Sequence, residues 1–474
     1  MITPTFPATL TLVATRETSN TKQNTGETPT PTTYQSPLLD VINGAADSPD
    51  GHRQHGVAWH YRNPLGEQRA FERAAGAVDR SHQRVLQISG ADTLSWLNSL
   101  ISQKIDVLAP GSTTHGLILD AKGHIEHSFT IVRPKASLPT RADDHRGSAG
   151  SEGADSESSD DARSDKPSIY LISEPETFDD LHTYLARMVF WSAVNLHEVD
   201  LALVTVIGPD TSTIMAHVLE DHRGPSTPAN ITPPDTLPEG MITFTDSLVG
   251  TEDSVHLLVP RSTLISTFTT LIDVGAKPTG LMAYEAERVK AVIPEVHADL
   301  DNRAVPHEIE AFVGTPANAP TQRATADDGP TSSFVHLNKG CYRGQETVSR
   351  IQNLGRPPRL LVKLQVDGYS ARRPEPGEAI TLGKRKVGRS GCVVAGCEGG
   401  PLALGLVQRR IVDEVIAGGS SSQTPHSSES PVATHTNALE VDGTTLAIDP
   451  DTTHVDVAPK AGRQAVDKLR GKTP

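Results

Sequence analysis

Cysteine is nearly absent from this chain. Three in 474 residues, an odd count, exclude a disulfide framework and point to a reducing compartment. They also exclude a permanent four-thiolate metal or cluster site within one chain. Long apolar runs are missing too: no stretch approaches the roughly 20 apolar residues of a membrane-spanning helix. Residues 1–13 have neither the basic start nor the compact apolar stretch of a signal peptide, and Glu17 and Glu27 speak against a transit peptide. The expected location is the cytoplasm, with no membrane partner. Positive charge is in deficit, with 43 Lys and Arg against 58 Asp and Glu and a net charge of −15. Direct nucleic-acid binding needs clustered cations and is disfavoured. Apolar residues make up only 36% and aromatics 4%, which dilutes the chain too far for one core. Two or three domains interrupted by solvated stretches are expected.

Those stretches can be placed. Residues 1–50 are rich in Thr, Pro, Ser and Asn without apolar periodicity and read as a disordered tail. Polar insertions follow near 134–167, which holds the acidic serine tract of residues 151–161, near 221–239 and near 418–436; residues 458–474 form a second tail. Such tracts cannot bury enough surface to offset chain entropy. The folded regions are then 51–355 and 356–457.

Within 51–355 helical and strand patterns mix. Residues 84–89 read as a strand. Asp92 stands as an N-cap ahead of Leu94, Leu97, Leu100, Ile101 and Ile105 at helical spacing, which runs until Pro110-Gly111. Residues 117–119 and 125–132 read as a hairpin around Asp120-Ala121-Lys122-Gly123. Helices are expected at 178–191, 263–272 and 281–292, with strands at 202–207 and 255–259. After Arg359 the pattern shifts to short β segments at 360–366, 379–382, 386–394, 402–407 and 446–448, as in a small barrel.

The most informative segment is Lys339-Gly340-Cys341-Tyr342-Arg343-Gly344-Gln345-Glu346. Lys, Arg, Gln and Glu are poor core residues, so this is a binding loop rather than packing. Glycines allow close backbone approach to a ligand. Lys339 and Arg343 flank the thiol and would favour its thiolate. Gln345 and Glu346 suit the donor and acceptor edge of a flat polar heterocycle. Cys341 is the candidate reactive residue, as nucleophile, redox-sensitive thiol or transient ligand to iron or sulfur. Cys392 and Cys397 read as buried barrel cysteines, and the scattered histidines show no metal-ligand convergence, so no metal is expected.

This octapeptide, with His336-Leu337-Asn338 before it and residues 347–359 after it, resembles the signature of the YgfZ-type folate-binding proteins of the glycine-cleavage T-protein (aminomethyltransferase) superfamily. The resemblance extends from about Val57 to about Val457. It implies an α+β, T-protein-like fold: two interlocked α+β lobes and a C-terminal β-barrel, arranged as a three-part ring around a folate site. It implies tetrahydrofolate or a derivative as cofactor, and iron–sulfur enzymes or assembly factors as partners. The function implied is an accessory role in iron–sulfur cluster assembly or repair, and thereby in tRNA modification. A folate-dependent aminomethyl or one-carbon transferase and a non-catalytic scaffold are the alternatives, which leaves enzyme status open. By the same resemblance Lys339, Gly340, Tyr342, Arg343, Gly344, Gln345 and Glu346 bind folate or position the loop. Tyr284 and Arg288, in Gly280-Leu281-Met282-Ala283-Tyr284-Glu285-Ala286-Glu287-Arg288, join the pocket. Arg356, in Arg356-Pro357-Pro358-Arg359, would meet a polyglutamate tail or serve as an interdomain linker.

Two departures from the aminomethyltransferases stand out. Their acidic pair after the hairpin glycine has no counterpart in Gly123-His124-Ile125-Glu126-His127-Ser128. Their pterin-binding glutamate, in a strand before a proline, is replaced in Ser254-Val255-His256-Leu257-Leu258-Val259-Pro260 by His256.

Overall fold

Two five-stranded sheets stacked face to face and a closed six-stranded barrel carry the chain. The structure is a computed structural model. It describes residues 34–49, 52, 54–135, 167–220, 240–246, 248–249, 254–314, 333–370, 372–419 and 438–450. Nearly all of the expected insertions, and the tail at 458–474, lie outside the described residues. Residues 34–49 fall inside the expected N-terminal tail, yet they form a short helix (Leu38–Val41) and a strand (Ala45–Asp47) paired with Ala58–Tyr61. The reason is apolar: Leu38 is fully buried in the core of the first sheet.

That first sheet runs Ile242–Thr245, Val255–Pro260, Leu201–Ile207, Gly76–Asp79, Lys277–Thr279, antiparallel except for the last pair. The second runs Ser112–Leu119, Ile125–Arg133, Ser168–Ser173, Arg84–Ser89, Asn195–Val199, antiparallel throughout. The chain passes from the first sheet at Asp79 to the second at Arg84 and returns at Leu201, which interlocks the two lobes. Leu201–Ile207 is apolar at every position but Thr205 because both of its faces are covered. Ala202, Val204 and Val206 face helices Thr211–Glu220 and Leu264–Asp273. Leu201 and Leu203 face the other sheet, where they meet Val85, Val132, Tyr170 and Ile172. Strand periodicity of two assigns alternate residues to two different cores.

Helix Thr93–Leu100 stops earlier than the apolar spacing suggests. Ile101, Ile105 and Leu108 remain fully buried, but on extended and turn backbone. Asp92 spends its carboxylate on the Ala193 amide (2.7 Å) and makes no side-chain cap of its own helix. The helix expected at 178–191 is Pro175–Arg187, and Phe190 and Trp191 beyond it are exposed.

The barrel order is Arg359–Val366, Gly400–Gln408, Arg385–Gly396, Ala379–Leu382, Leu439–Val441, Thr444–Ile448. Every expected β segment is present. Two elements were not foreseen: strand Leu439–Val441 and helix Arg409–Gly419, whose Ile411 and Val412 plug the barrel core. Barrel and lobes share a core in which Leu361, Leu404 and Leu406 pack with Ala286 and Val289 and with Tyr342 of the octapeptide.

Candidate functional site

The octapeptide is built into the second lobe by its own polar groups. Lys339 Nζ donates to three backbone carbonyls, Asn98 (2.6 Å), Ile101 (2.7 Å) and Gln103 (2.8 Å). These lie at and just past the C-terminus of helix Thr93–Leu100, where carbonyls lack intrahelical partners and a cation is favoured. Burial pulls the Lys339 ammonium down to about 8, with the Asp106 charge opposing the fall, so it stays mostly charged at neutral pH. Gln345 Nε2 donates back to the Lys339 carbonyl (3.1 Å) and closes the loop. Tyr342 is buried in the shared core, and burial drives its hydroxyl pKa upward.

Gly344 begins helix Gln345–Leu354 at φ +83°. A Cβ there would meet the Asp120 carbonyl at 2.7 Å and Gly123 Cα at 2.9 Å, so glycine is required twice, for conformation and for contact. The octapeptide therefore sits directly on the hairpin turn between the first two strands of the second sheet. Arg343 reaches the same hairpin through Glu126 (2.9 Å), in an exposed pair of small energetic value. Cys341, Gly340 and Glu346 are exposed. Lys339 and Arg343, the two cations that flank the thiol in sequence, hydrogen-bond to the three carbonyls and to Glu126.

A cavity of about 110 Å³ opens where the two sheets meet helix Leu281–Lys290. Tyr284 and Arg288 line it, as do Arg80, His115, Asp246, His256 and Gln54. Arg80 lies over the Tyr284 ring at 4.2 Å, a cation–π contact that fixes both side chains. His115 stacks on Phe334 (4.7 Å) and meets Asp246 Oδ1 at 3.3 Å. Burial works against the Asp246 carboxylate, but the adjacent His115 holds it well below the usual carboxylate range. His256 stacks on Phe244 (4.9 Å), and its Nδ1 lies 2.9 Å from Thr205 Oγ1. Burial lowers its pKa to about 4, with Asp246 opposing and Arg80 adding to the fall, so the imidazole is neutral at pH 7.

Among the described residues, His256 Nε2, Arg80 Nε and Gln54 Oε1 are buried in this wall without a hydrogen-bond partner. Buried donors and acceptors are rarely left so. Two nitrogens and an amide oxygen suit a small ring with polar edges. Tyr284 and Arg80 supply a flat apolar and cationic surface in the same wall.

Arg288 makes a different contribution from the one its position suggests. It is saturated by Glu285 (2.8 Å), Asp299 (2.7 Å) and the Ile293 carbonyl (2.7 Å). Asp299 in turn accepts the Cys392 amide (2.6 Å), which ties the cavity floor to the barrel. Arg359 is likewise committed, to Asp301 (2.6 Å) and Glu308 (2.8 Å). Arg356 lies exposed at the surface. Cys392 is buried, as expected, and Cys397 half-buried.

Of the site residues named from sequence, the structure brings Tyr284 and Arg288 to the cavity and places residues 339–346 outside its lining. Hairpin strands Ser112–Leu119 and Ile125–Arg133 connect the two places: they carry His115, Phe129 and Thr130 into the cavity and the Asp120–Gly123 turn against Gly344. Sequence reasoning missed Arg80, His115, Asp246 and Gln54. One signal was available: Thr205, a lone hydroxyl in the apolar run Leu201–Ile207, marks a buried polar cluster.

No protein-family profile matches the chain. Curated relatives do. An aminomethyltransferase of Alcanivorax borkumensis is 21% identical over 250 residues, covering 52% of this chain and 61% of that protein. A putative chloroplastic transferase of Arabidopsis thaliana is 28% identical over 165 residues, covering 35% and 32%. An aminomethyltransferase of Methylococcus capsulatus is 23% identical over 249 residues, covering 52% and 59%. The chain thus spans between about a third and about three fifths of the length of these three relatives. Among solved structures, the glycine-cleavage aminomethyltransferase T of Bartonella henselae superposes with a TM-score of 0.56 at 16% identity, covering 79% of this chain and 88% of that one. Aminomethyltransferases are among the homologues, and the fold is the α+β T-protein fold with a closed six-stranded barrel.

Proposed function

We propose that this chain is a folate-binding accessory protein of the YgfZ type, which holds tetrahydrofolate or a derivative in the inter-sheet cavity and supports iron–sulfur cluster assembly or repair, and through it tRNA modification. The observation that carries the folate reading is the cavity itself: a T-protein fold with Tyr284 and Arg80 stacked on one wall and unpartnered buried polar atoms around it. The accessory reading rests on the octapeptide, whose one reactive group, Cys341, stands exposed on a loop anchored by Lys339 and Gln345. An exposed thiol on a rigid loop suits exchange with a partner such as an iron–sulfur enzyme or assembly factor. In cells deprived of this chain, restoring wild type raises the activity of a cluster-dependent tRNA-thiolating enzyme, and Cys341→Ala does not. Full restoration by Cys341→Ala removes the thiol from the account and leaves a scaffold.

A second reading, a folate-dependent aminomethyl or one-carbon transferase, is favoured by the names of the relatives. Against it stands the hairpin after Gly123, where Glu126 is the only acidic residue and is paired with Arg343. Formaldehyde release from an N-methyl substrate by the purified chain would decide for it.

A further inference from the structure

Two carboxylates and a thiol from separate segments converge where the cavity floor meets the barrel. Glu285 lies on helix Leu281–Lys290, Glu295 stands just ahead of helix Val296–Asp299, and Cys392 lies on barrel strand Arg385–Gly396. They are 2%, 8% and 5% exposed. One ligand atom from each, a carboxylate oxygen or Sγ, lies within 4.8 Å of the other two. A cation held about 2.0–2.3 Å from such atoms spaces them roughly 3–4 Å apart, so small side-chain rotations close the site. One residue fixes two of the ligand-bearing backbones: Asp299 accepts the Cys392 amide at Oδ1 (2.6 Å) and the Glu295 amide at Oδ2 (2.8 Å). Arg288 orients Glu285 from Nε (3.1 Å) and Nη2 (2.8 Å), and its Nη1 binds Asp299 (2.7 Å). Supporting contacts of this kind hold metal ligands in place. Within this cluster the carboxylates of Glu285, Glu295 and Asp299 stand around one guanidinium, which favours a further cation. Gln54 supplies a fourth donor. It is 5% exposed, its Nε2 donates to Glu295 Oε1, and its Oε1 is buried with no partner. A half-turn of that amide brings its oxygen against the Glu295 carboxylate, an arrangement that a shared cation stabilises.

We propose that Glu285, Glu295, Cys392 and the Gln54 amide oxygen form a site for a divalent transition cation of the zinc class, which fastens the barrel to the lobes. Carboxylate oxygens with a thiolate suit zinc or its cobalt substitute, whereas magnesium and calcium take oxygen ligands alone. The cation displaces the Cys392 thiol proton to solvent, so affinity falls as pH is lowered. Arg288, whose charge attracts the Cys392 sulfur, favours the thiolate. Glu285 and Glu295 line the cavity, which gives the ion its way in. Gln54 Oε1 has two lone pairs, one for the ion and one for a ring in the cavity. The site uses neither Tyr284 nor His256 and stands apart from the folate reading. Histidine spacing in the sequence gave no sign of it, because its ligands are carboxylates, an amide and a thiol.

Equilibrium dialysis of the intact, reduced chain against zinc, with a cobalt titration followed by absorbance, tests it. Wild type is expected to bind one ion per chain at micromolar or tighter affinity in excess magnesium. Cobalt should give a thiolate-to-metal charge-transfer band in the near ultraviolet. Cys392→Ser should abolish that band and weaken zinc at least tenfold. Glu295→Gln should weaken zinc at least tenfold and keep the band at high cobalt. Cys341→Ser and Cys397→Ser should keep both the band and the affinity. Circular dichroism and a thermal melt verify that the variants fold. No stoichiometric binding by wild type, zinc affinity unchanged in a folded Glu295→Gln, a band retained in a folded Cys392→Ser, or a band lost in either other cysteine variant overturns the site; the last three leave an adventitious ion only.

Discussion

Lys339 Nζ lies 2.7 Å from the carbonyl oxygen of Ile101, the C-cap of helix Thr93–Leu100. One side chain thereby closes a helix 238 residues earlier and fixes the loop that carries Cys341. The conspicuous cation of the octapeptide is a structural clamp, and its partners are main-chain oxygens.

Replacing that clamp has a definite consequence. Lys339→Met leaves three buried carbonyls without a donor and should destabilise the chain by about 2–4 kcal/mol in urea denaturation. The Cys341 loop should loosen locally, read as faster amide exchange at residues 340–344. A stability change below about 0.5 kcal/mol would remove Lys339 as an anchor.

Gly344 is set by geometry. Gly344→Ala places a methyl 2.7 Å from the Asp120 carbonyl at a backbone angle of +83°, and should cost about 1–3 kcal/mol by shifting the helix start or the hairpin turn. Gly340→Ala, at a position with open space around it, serves as the control and should cost far less.

The three thiols should separate by exposure. In the native chain a charged disulfide reagent should modify Cys341 first, Cys397 slowly and Cys392 only on unfolding, because they are exposed, half-buried and buried in that order. Peptide mapping after timed labelling checks the order; early modification of Cys392 would contradict the barrel packing.

Stability should depend on pH through two neutral buried histidines. Burial lowers both His256 and His127 to about 4 from an unfolded value near 6.5. The unfolded chain then binds more protons, so their contribution is fully present above about 6.5 and is lost as pH falls from there toward 4. Between pH 7.5 and pH 5 each should remove about 1–2 kcal/mol. His256→Gln should flatten its share of that slope. A slope identical to wild type would mean that His256 is charged or solvated in the native state.

The sequence made the fold legible where periodicity and side-chain chemistry agreed. The hairpin at 117–132 and the barrel strands could be read because apolar alternation is bounded by glycine and proline. Strand Leu439–Val441 was missed because three residues carry almost no pattern. The end of helix Thr93–Leu100 was missed because Ile101 and Ile105 keep helical spacing while Lys339, far away in sequence, draws off the helix's last carbonyls. At the site, glycines and charges marked the octapeptide, but sequence spacing cannot tell a cation beside a thiol from one turned onto main chain. Arg80, His115 and Asp246 come from three distant segments, and only the stacking of two sheets brings them to one cavity.

Calorimetric titration of the purified, reduced chain with tetrahydrofolate tests the central claim most directly, with Tyr284→Ala beside wild type. The account predicts one saturable site with Kd in the micromolar range, about −8 kcal/mol, and binding weakened at least tenfold in a folded Tyr284→Ala. No saturable binding to wild type, or equal affinity when the Tyr284 ring is removed, would contradict folate binding in the inter-sheet cavity.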